Sequence, residues 1–497
     1  MPDFAGLDPF QSRQAKLEAW KQADVEPYPA VTPPSRPIRV LRAVAEEFPT
    51  AEYRTVLDYY VAGRILSRRG QGAVSFMDLE DGSGRIQLLF KKDVLEASDF
   101  ERLEWLDLGD HLAVTGTLFV TKRGELTVEV GRYTLLSKAL HPLPDAWKGL
   151  QDSDAKQRQR YAELIVSPET RERFKKRSEM VRQTRNFLHE NSFIEVETPV
   201  LEAIPGGADA EPFVTHHNAL DTDFYLRISL ELHLKRLLVG GFDRVFEIGR
   251  VFRNEGLSPQ HLQEFTMLEF YWAYASYRDL MPLIEQLYGM LAENLTGSRQ
   301  VRRGENTLEF SGTWPRTKYA ELLQQYAGID ILEATDEQLV AAIKEYRVDT
   351  DVSLGRGRLL DQLYKKTVRP NLIQPQFITD VPVEFSPLAK RSATDPRVTE
   401  RVMVLIDGAE VVNGFSELND PVEQRKRLEE QENLRLGGDV EAQRMDPDFL
   451  RALGYGMPPT AGFGVGIDRL MAILLDLPTV RETVFFPTMR PEPFTEK

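Results

Sequence analysis

FRNEGLSPQHLQEFTMLEFY, residues Phe252–Tyr271, reads as strand, loop, strand. Arg253 and Glu255 stand two apart, so an extended backbone places them on one face of the first strand. Phe265, Met267, Glu269 and Tyr271 alternate onto one face of the second. The loop between them holds Gly256, Ser258 and Pro259, which are turn formers, and His261, a titratable ring. One strand offers a fixed cation. The other offers an aromatic plate, a carboxylate and a phenol. That set suits a nucleotide phosphate and base at one end and an amine at the other.

The chain around this segment has 497 residues, more than one ordinary core, so two or more domains are expected. A hydrophobic content of 42% with 28% charged residues describes a globular protein. The net charge of −15 argues against broad, unselective nucleic-acid binding but leaves room for a local RNA site. With no cysteine there are neither disulfides nor thiolate metal sites. No apolar run reaches membrane-spanning length and no signal-peptide pattern is present, so a cytoplasmic location is expected.

Residues 1–50 read as a helical arm. Ser12–Gln22 carries Arg13, Lys16 and Lys21, and a run of prolines follows; the helix is either solvated or an RNA-touching element. Residues 51–145 read as short strands: Val56–Ile65, Ser75–Leu79, Arg85–Phe90, His111–Val120 and Leu126–Val130, with a hairpin turn at Asp81-Gly82-Ser83-Gly84 and one helical insert near Glu96–Leu106. That pattern fits a five-stranded OB barrel, a fold that often holds single-stranded nucleic acid by stacking and edge contacts. From the barrel alone, Phe76 reads as core and Gln87 as exposed. Leu140–Asp154 reads as a linker, and residues 146–497 as a second domain. There Pro168–Asn191 is a long helix with Phe174, Val181 and Leu188 at seven-residue spacing, followed by the strand Ile194–Thr198 and Pro199. Residues of about 299–363 look like a helical insertion, and Leu434–Arg451 like a polar helical piece.

A home for phosphates is not found in a Walker-type loop, which is absent. GFGVGIDR (Gly462–Arg469) has Ile467 where a dinucleotide loop needs its third glycine. Its glycines instead suit close approach of a strand to a helix, with Arg469 in the first turn of that helix. Val402–Ile406 and Ala409–Gly414 form a hairpin about Asp407-Gly408, which pairs Leu405 with Glu410 and Met403 with Val412. Glu410 and Glu417 are seven apart, so facing one pocket requires a bulge, expected near Asn413-Gly414. The seven histidines make no zinc motif; His216 and His217 are adjacent and point to opposite faces.

Phe252–Tyr271, with PGGADAEPF (Pro205–Phe213), THHNALDTDFYLRI (Thr215–Ile228), VVNGFSELND (Val411–Asp420) and GFGVGIDR, resembles the class II aminoacyl-tRNA synthetases, specifically the bacterial-type lysyl-tRNA synthetases, over nearly the whole chain. The resemblance implies an α+β protein: an N-terminal OB barrel that binds the anticodon through Phe76, Gln87 and Glu125, then a catalytic domain built on an antiparallel sheet flanked by helices. It implies a homodimer through residues 168–199. The substrates are L-lysine, ATP and tRNA(Lys), with Mg²⁺. Lysine's carboxylate attacks the α-phosphate of ATP, pyrophosphate leaves, and the aminoacyl group passes to the terminal adenosine of the tRNA. Positioned cations lower such a barrier by orientation and electrostatic stabilisation.

By the same resemblance, Arg253 bridges α-phosphate and carboxylate, Glu255 meets the adenine amino group and His261 the terminal phosphates. Adenine lies between Phe265 and Arg469. Glu269, Glu417 and Tyr271 surround the ε-ammonium. Glu231 and the backbone near Gly207 receive the α-ammonium, and Asn413 and Phe415 line the same pocket. Leucine or methionine would leave two acids unpaired, and arginine is too long and planar. The metal position departs from the family. A glutamate usual beside Glu410 is Met403 here, a poor ligand for a hard ion, so fewer protein–metal contacts are expected. Leu262-Gln263 replaces Asn-Pro and Ser229-Leu230 replaces Ala-Pro. The alternatives are a synthetase for aspartate or asparagine, which two acids would not suit; a relative that lysylates a protein; and a catalytically weakened paralogue acting as an RNA-binding or regulatory protein.

Overall fold

Asp81 turns the chain for the first hairpin: its Oδ1 accepts from Ser83 N at 2.7 Å and Gly84 N at 2.9 Å, an Asx arrangement that needs no neighbour. The computed structural model describes residues 4, 6–47, 54–144, 149–256, 258–352, 355–439 and 441–492. They fall into two compact units, Met1–Gln151 with Tyr161–Val166, and Asp152–Arg160 with Ser167–Lys497.

In the first unit, strands Val61–Gln71, Val74–Asp81, Gly84–Lys91, Leu126–Ser137 and His111–Val120 pair in that order, and the last returns to the first, closing a five-strand ring. Closure removes sheet edges. The stretch expected as one strand, Val56–Ile65, is two: Arg54–Val56 lies against His111–Val120 outside the ring, and Val61 starts the barrel proper. Alternation fills the interior, with Met77, Leu79, Ile86 and Leu88 turned inward. The basic helix spans Pro9–Gln22 and is neither solvated nor free for RNA at Arg13 and Lys16. Trp20 packs edge-on against Trp105 at 5.2 Å, Arg13 donates to Leu108 O and Ala139 O, and Lys16 pairs with Asp107 at 2.7 Å. A second helix, Ile38–Glu47, was not foreseen among the prolines; it buries Ile38 and Leu41.

The second unit is built on an eight-stranded sheet in the order Arg316–Lys318, Gln376–Pro382, Val398–Ile406, Ala409–Ser416, Thr460–Gly466, Glu264–Ala273, Arg244–Phe252, Ile194–Glu195. All pairs are antiparallel except the two at the edges. The helix Tyr277–Thr296 lays Leu280, Ile284, Leu287 and Leu291 on one face of the sheet, against Phe270, Phe463 and Val465. The long helix, Pro168–Glu190, capped by Ser167, joins the same core through Met180, Phe187 and Leu188.

Two expectations are corrected here. Leu405 does face Glu410, but Met403 faces Asn413, because Val411 is an extra residue opposite the Val404–Leu405 step. The bulge therefore sits at Val411, ahead of Asn413-Gly414; it still falls between Glu410 and Glu417, where it reverses the strand's phase. The segment 299–363 is not purely helical. Gln300–Arg303 and Asn306–Glu309 form a hairpin, and Arg316–Lys318 joins the main sheet. Helices Tyr319–Ala327, Asp336–Glu345 and Arg356–Thr367 then share an apolar cluster with Met403 and Leu405.

Candidate active site

Strand pairing runs from Arg244 to Phe252 and stops there. Arg253 N still donates to Gln263 O at 2.8 Å, but Asn254 N turns away to Glu211 O at 2.8 Å. Arg253 and Glu255 thus lie past the strand end, in the loop, where the sequence placed them on the strand. Leu262 anchors that loop in an apolar cluster with Ala472, Leu477, Val480 and Val484, and Gln263 Nε2 donates back to Glu255 O at 3.4 Å.

A cavity of about 1030 Å³ opens on the sheet face opposite the helix Tyr277–Thr296. Phe265, Met267, Glu269 and Tyr271 line it from one strand, as the alternation required. Arg253, Glu255 and His261 reach it from the loop, and Glu410, Asn413 and Phe415 from the bulged strand. Gly207, Glu231 and Arg469 complete the predicted set on its wall. Glu417 is the exception: it lies behind the wall, beside Gly462. A side chain at Gly462 would place its Cβ 2.2 Å from Tyr271 Cε1 and 2.6 Å from Glu417 Oε1, so only glycine fits.

One end of the cavity is a buried acidic floor. Glu269 Oε1 accepts from Ser229 Oγ and Leu230 N, each at 2.8 Å, and its Oε2 accepts from Tyr271 OH at 3.0 Å. Burial, reinforced by Glu231, pushes this carboxyl up to about 7 despite those donors. Lys235 Nζ lies 2.5 Å from Glu231 Oε1 and also contacts Glu417. Burial alone would lower the Lys235 pKa, but the two acids carry it above its usual value. Glu417 is raised well above the carboxylate range by burial, against the pull of Lys235. Lys235 meets Glu417 at Oε2, while the buried Oε1 lacks a hydrogen-bond partner. The floor holds three carboxylates against one resident ammonium.

The other end is cationic. The Arg253 guanidinium lies 5.2 Å from the centre of the Phe265 ring, and its Nε donates to Ile228 O at 3.3 Å. Arg469 donates from Nη1 to Glu410 O, which ties the start of its helix to the bulged strand. Burial lowers the pKa of both arginines. His261 Nδ1 lies 2.7 Å from Ser258 Oγ; burial, then Arg469, holds its pKa below the usual imidazole value. The cavity can therefore hold an extended molecule with positive charge at one end and an anion with a flat ring at the other.

Several wall residues escaped sequence reasoning. Ser229 and Lys235 serve the acidic floor, Asp209 meets Gln443 at 3.2 Å, and Arg401 Nε donates to Asn413 Oδ1 at 2.9 Å. Lys365 and Arg369 come from just beyond the 299–363 segment read as an insertion. For Lys235 a signal existed: it stands four residues after Glu231 on one helix face.

In the first unit the barrel reverses both expectations from composition. Phe76 is half-exposed on the outer face, opposite Arg69, while Gln87 is buried and accepts from Thr127 Oγ1 at 3.1 Å. Glu125 is exposed on the turn between His111–Val120 and Leu126–Ser137.

Comparison with known proteins covers both units. Residues 152–490 match the family model for class II tRNA synthetases (D, K and N), and residues 59–136 match that for the OB-fold nucleic acid binding domain. The chain is 46% identical over 481 residues to a lysine–tRNA ligase of Dehalococcoides mccartyi, covering 96% of each. It is 46% identical to that of Moorella thermoacetica, covering 97% of each, and 42% identical to that of Staphylococcus haemolyticus, covering 97% of this chain and 98% of the relative.

Proposed function

The chain belongs to the class II tRNA synthetases, and from that premise we propose that its cavity joins L-lysine to ATP and passes the lysyl group to tRNA(Lys), the activity of a lysine–tRNA ligase. The observation that carries the reading is the charge count on the floor. Three buried carboxylates face one resident ammonium, and free lysine brings two more. A buried acid raised by desolvation gains most from a cation that replaces water. Aspartate and asparagine offer one ammonium and would leave an acid unmatched.

We assign the roles that the family resemblance implies. Glu269 and Tyr271 take the ε-ammonium from the wall, with the Glu417 charge behind it; Glu231 with the backbone at Gly207 takes the α-ammonium, and Asn413 and Phe415 fill the flank. Arg253 holds the lysine carboxylate against the α-phosphate. A carboxylate oxygen attacks phosphorus, the bond to the β-phosphate oxygen breaks, and pyrophosphate leaves with the electron pair. The adenine ring stacks on Phe265 with Arg469 above it, Glu255 meets its amino group and His261 the terminal phosphates. In the second step the terminal ribose hydroxyl attacks the activated carbonyl and AMP departs.

The donor set fits Mg²⁺ sparingly. Glu410 offers one carboxylate, whereas Met403 is buried among Leu363, Tyr364 and Leu405 and offers no oxygen. Mg²⁺ held by Glu410 and the nucleotide's own oxygens would neutralise phosphate charge. We assign the barrel face of Phe76, Gln87 and Glu125 to the anticodon. A homodimer through 168–199 is supported by the exposed apolar Ile194 within that segment and Val200 and Leu201 directly after it. No helix among the described residues is long and apolar enough to cross a membrane, in keeping with a cytoplasmic enzyme.

ATP–pyrophosphate exchange run with each amino acid in turn tests the reading. Exchange with lysine alone, followed by charging of tRNA(Lys), is expected; exchange with aspartate or asparagine instead of lysine would overturn it.

A further inference from the structure

The helix Arg356–Thr367 buries Leu360, Leu363 and Tyr364 in the apolar cluster that also holds Met403. Its opposite side carries Asp361 and Lys365, an ion pair of 2.6 Å one turn apart. Just beyond, the turn Arg369–Asn371 is fastened to the hairpin loop that precedes Glu410. Asp407 N donates to Ile373 O at 2.8 Å, Gly408 N to Leu372 O at 2.9 Å, and Arg369 Nε to Gly408 O at 3.0 Å. Gly408 has φ of +69°, and a Cβ there would stand 3.1 Å from Arg369 O, so the fastening depends on glycine.

This arrangement fixes Arg369 by its Nε and leaves its two terminal nitrogens without a protein acceptor among the described residues. Arg369 and Lys365 line the same cavity as Glu410, His261 and Arg469. After burial and Arg469, their positive fields also weigh against a charged His261 ring. Four cationic or titratable side chains therefore converge where a single carboxylate, Glu410, is the metal-binding candidate. Among the described residues no carboxylate forms an ion pair with Arg369. The anion paired with Lys365 is a partly exposed carboxylate, and such pairs are weak and easily exchanged.

We propose that Arg369 and Lys365 are phosphate-binding residues for the far end of ATP and for departing pyrophosphate, and that they supply charge which a second metal-holding carboxylate at position 403 would otherwise recruit. The proposal rests on the ATP reading above. Arg369 presents a planar fork suited to two phosphate oxygens at once; Lys365 acts as a mobile point charge. The class of ligand is a polyphosphate, so a nucleoside monophosphate should be indifferent to both.

Equilibrium binding of a non-hydrolysable ATP analogue and of AMP, at high and at depleted Mg²⁺, separates the possibilities. Arg369→Gln keeps a donor for Gly408 O while removing the charge. It is expected to weaken ATP-analogue binding by roughly 10-fold and AMP binding by less than about twofold, the ATP loss growing as Mg²⁺ is withdrawn. Lys365→Ala should weaken the analogue by about threefold. An Arg369→Gln protein that binds the analogue as tightly as the wild type, or that loses analogue and AMP equally, overturns the proposal. A wild-type protein that binds neither nucleotide would instead sink the ATP reading itself.

Discussion

The two ends of the cavity solve the recognition of charge in opposite ways. The acidic floor is buried, Glu269 is held there by fixed donors, and the floor is under-neutralised, so each charge there is strongly felt. The cationic end is closer to solvent, with Lys365 and His261 exposed, and it works by number. Removing one group from the floor should therefore disable selection outright, while removing one from the cationic end should only weaken it. The largest effect is expected for Glu269→Gln. The amide loses the anion that meets lysine's ammonium, and kcat/KM for lysine in exchange should fall by roughly 10²–10³, about 3–4 kcal/mol, with KM for ATP nearly unchanged. An equal fall for both substrates would show that the two ends are not separate.

The pH dependence sharpens the same contrast. Glu269 titrates near 7 in the folded chain, above an ordinary carboxyl. Lysine binding needs it ionised, so KM for lysine should climb as pH falls from 8 to 6, while KM for ATP stays flatter. The groups facing Glu269 are Glu231, Glu417 and Arg253 from neighbouring elements, Tyr271 on its own strand, and Glu247 on the adjacent strand, itself paired with Arg227. Stability runs the other way. A folded pKa above the unfolded one favours the native state at low pH, and that contribution is lost as pH rises through 7. Glu269→Gln should therefore raise Tm at pH 8 relative to wild type and change it less at pH 5. A Tm that falls at pH 8 would contradict the burial argument.

Ser229 comes next. Its hydroxyl and the Leu230 N–H both point at Glu269 Oε1. Ser229→Ala deletes one donor to a buried anion, so KM for lysine should rise by roughly 5- to 10-fold, about 1–1.5 kcal/mol, with the acid limb of its pH profile moved upward. Ser229→Thr should restore most of it. No change in the pH profile would reduce Ser229 to packing.

Legibility in the sequence followed the same division. The alternation Phe265, Met267, Glu269, Tyr271 put four side chains on one wall because a strand's period is two and admits no other arrangement. Barrel closure was legible for a similar reason: short strands with strong turn signals have few ways to pair. What the sequence hid were phase slips and long-range contacts. Arg253 and Glu255 left the strand because Glu211, over forty residues away, captured the next N–H. The bulge moved to Val411 because that buried valine packs in the core. Arg369 was unseen because its place depends on a long-range contact with the Asp407-Gly408 turn, which nothing around Arg369 in the sequence signals. Gln87 looked exposed because a glutamine in a strand usually is, yet Thr127 on the strand beside it provides a buried donor.

The barrel gives an effect of similar size and tests whether the two units divide the labour. Phe76→Ala removes a half-exposed ring opposite Arg69, where a base could stack. KM for tRNA should rise by roughly 5- to 20-fold, about 1–2 kcal/mol, while lysine-dependent exchange without tRNA is unchanged. A loss of exchange would mean that Phe76 acts through stability.

The smallest effect is expected at Met403, and it bears on the cationic end alone. The side chain is buried among Leu363, Tyr364 and Leu405. If its sulfur were a metal ligand, Met403→Leu would shift the Mg²⁺ dependence of exchange. If it only fills space, the swap conserves volume and should cost under about 1 kcal/mol of stability, with the Mg²⁺ midpoint unmoved. Met403→Glu separates the cases further, because a carboxylate buried there is costly unless a cation joins it. That variant should be less stable than wild type without metal and recover part of the loss when Mg²⁺ and nucleotide are added together. Recovery with Mg²⁺ alone would show that Glu410 and position 403 suffice to hold the ion, and that the phosphates and Arg369 are not needed to complete the site.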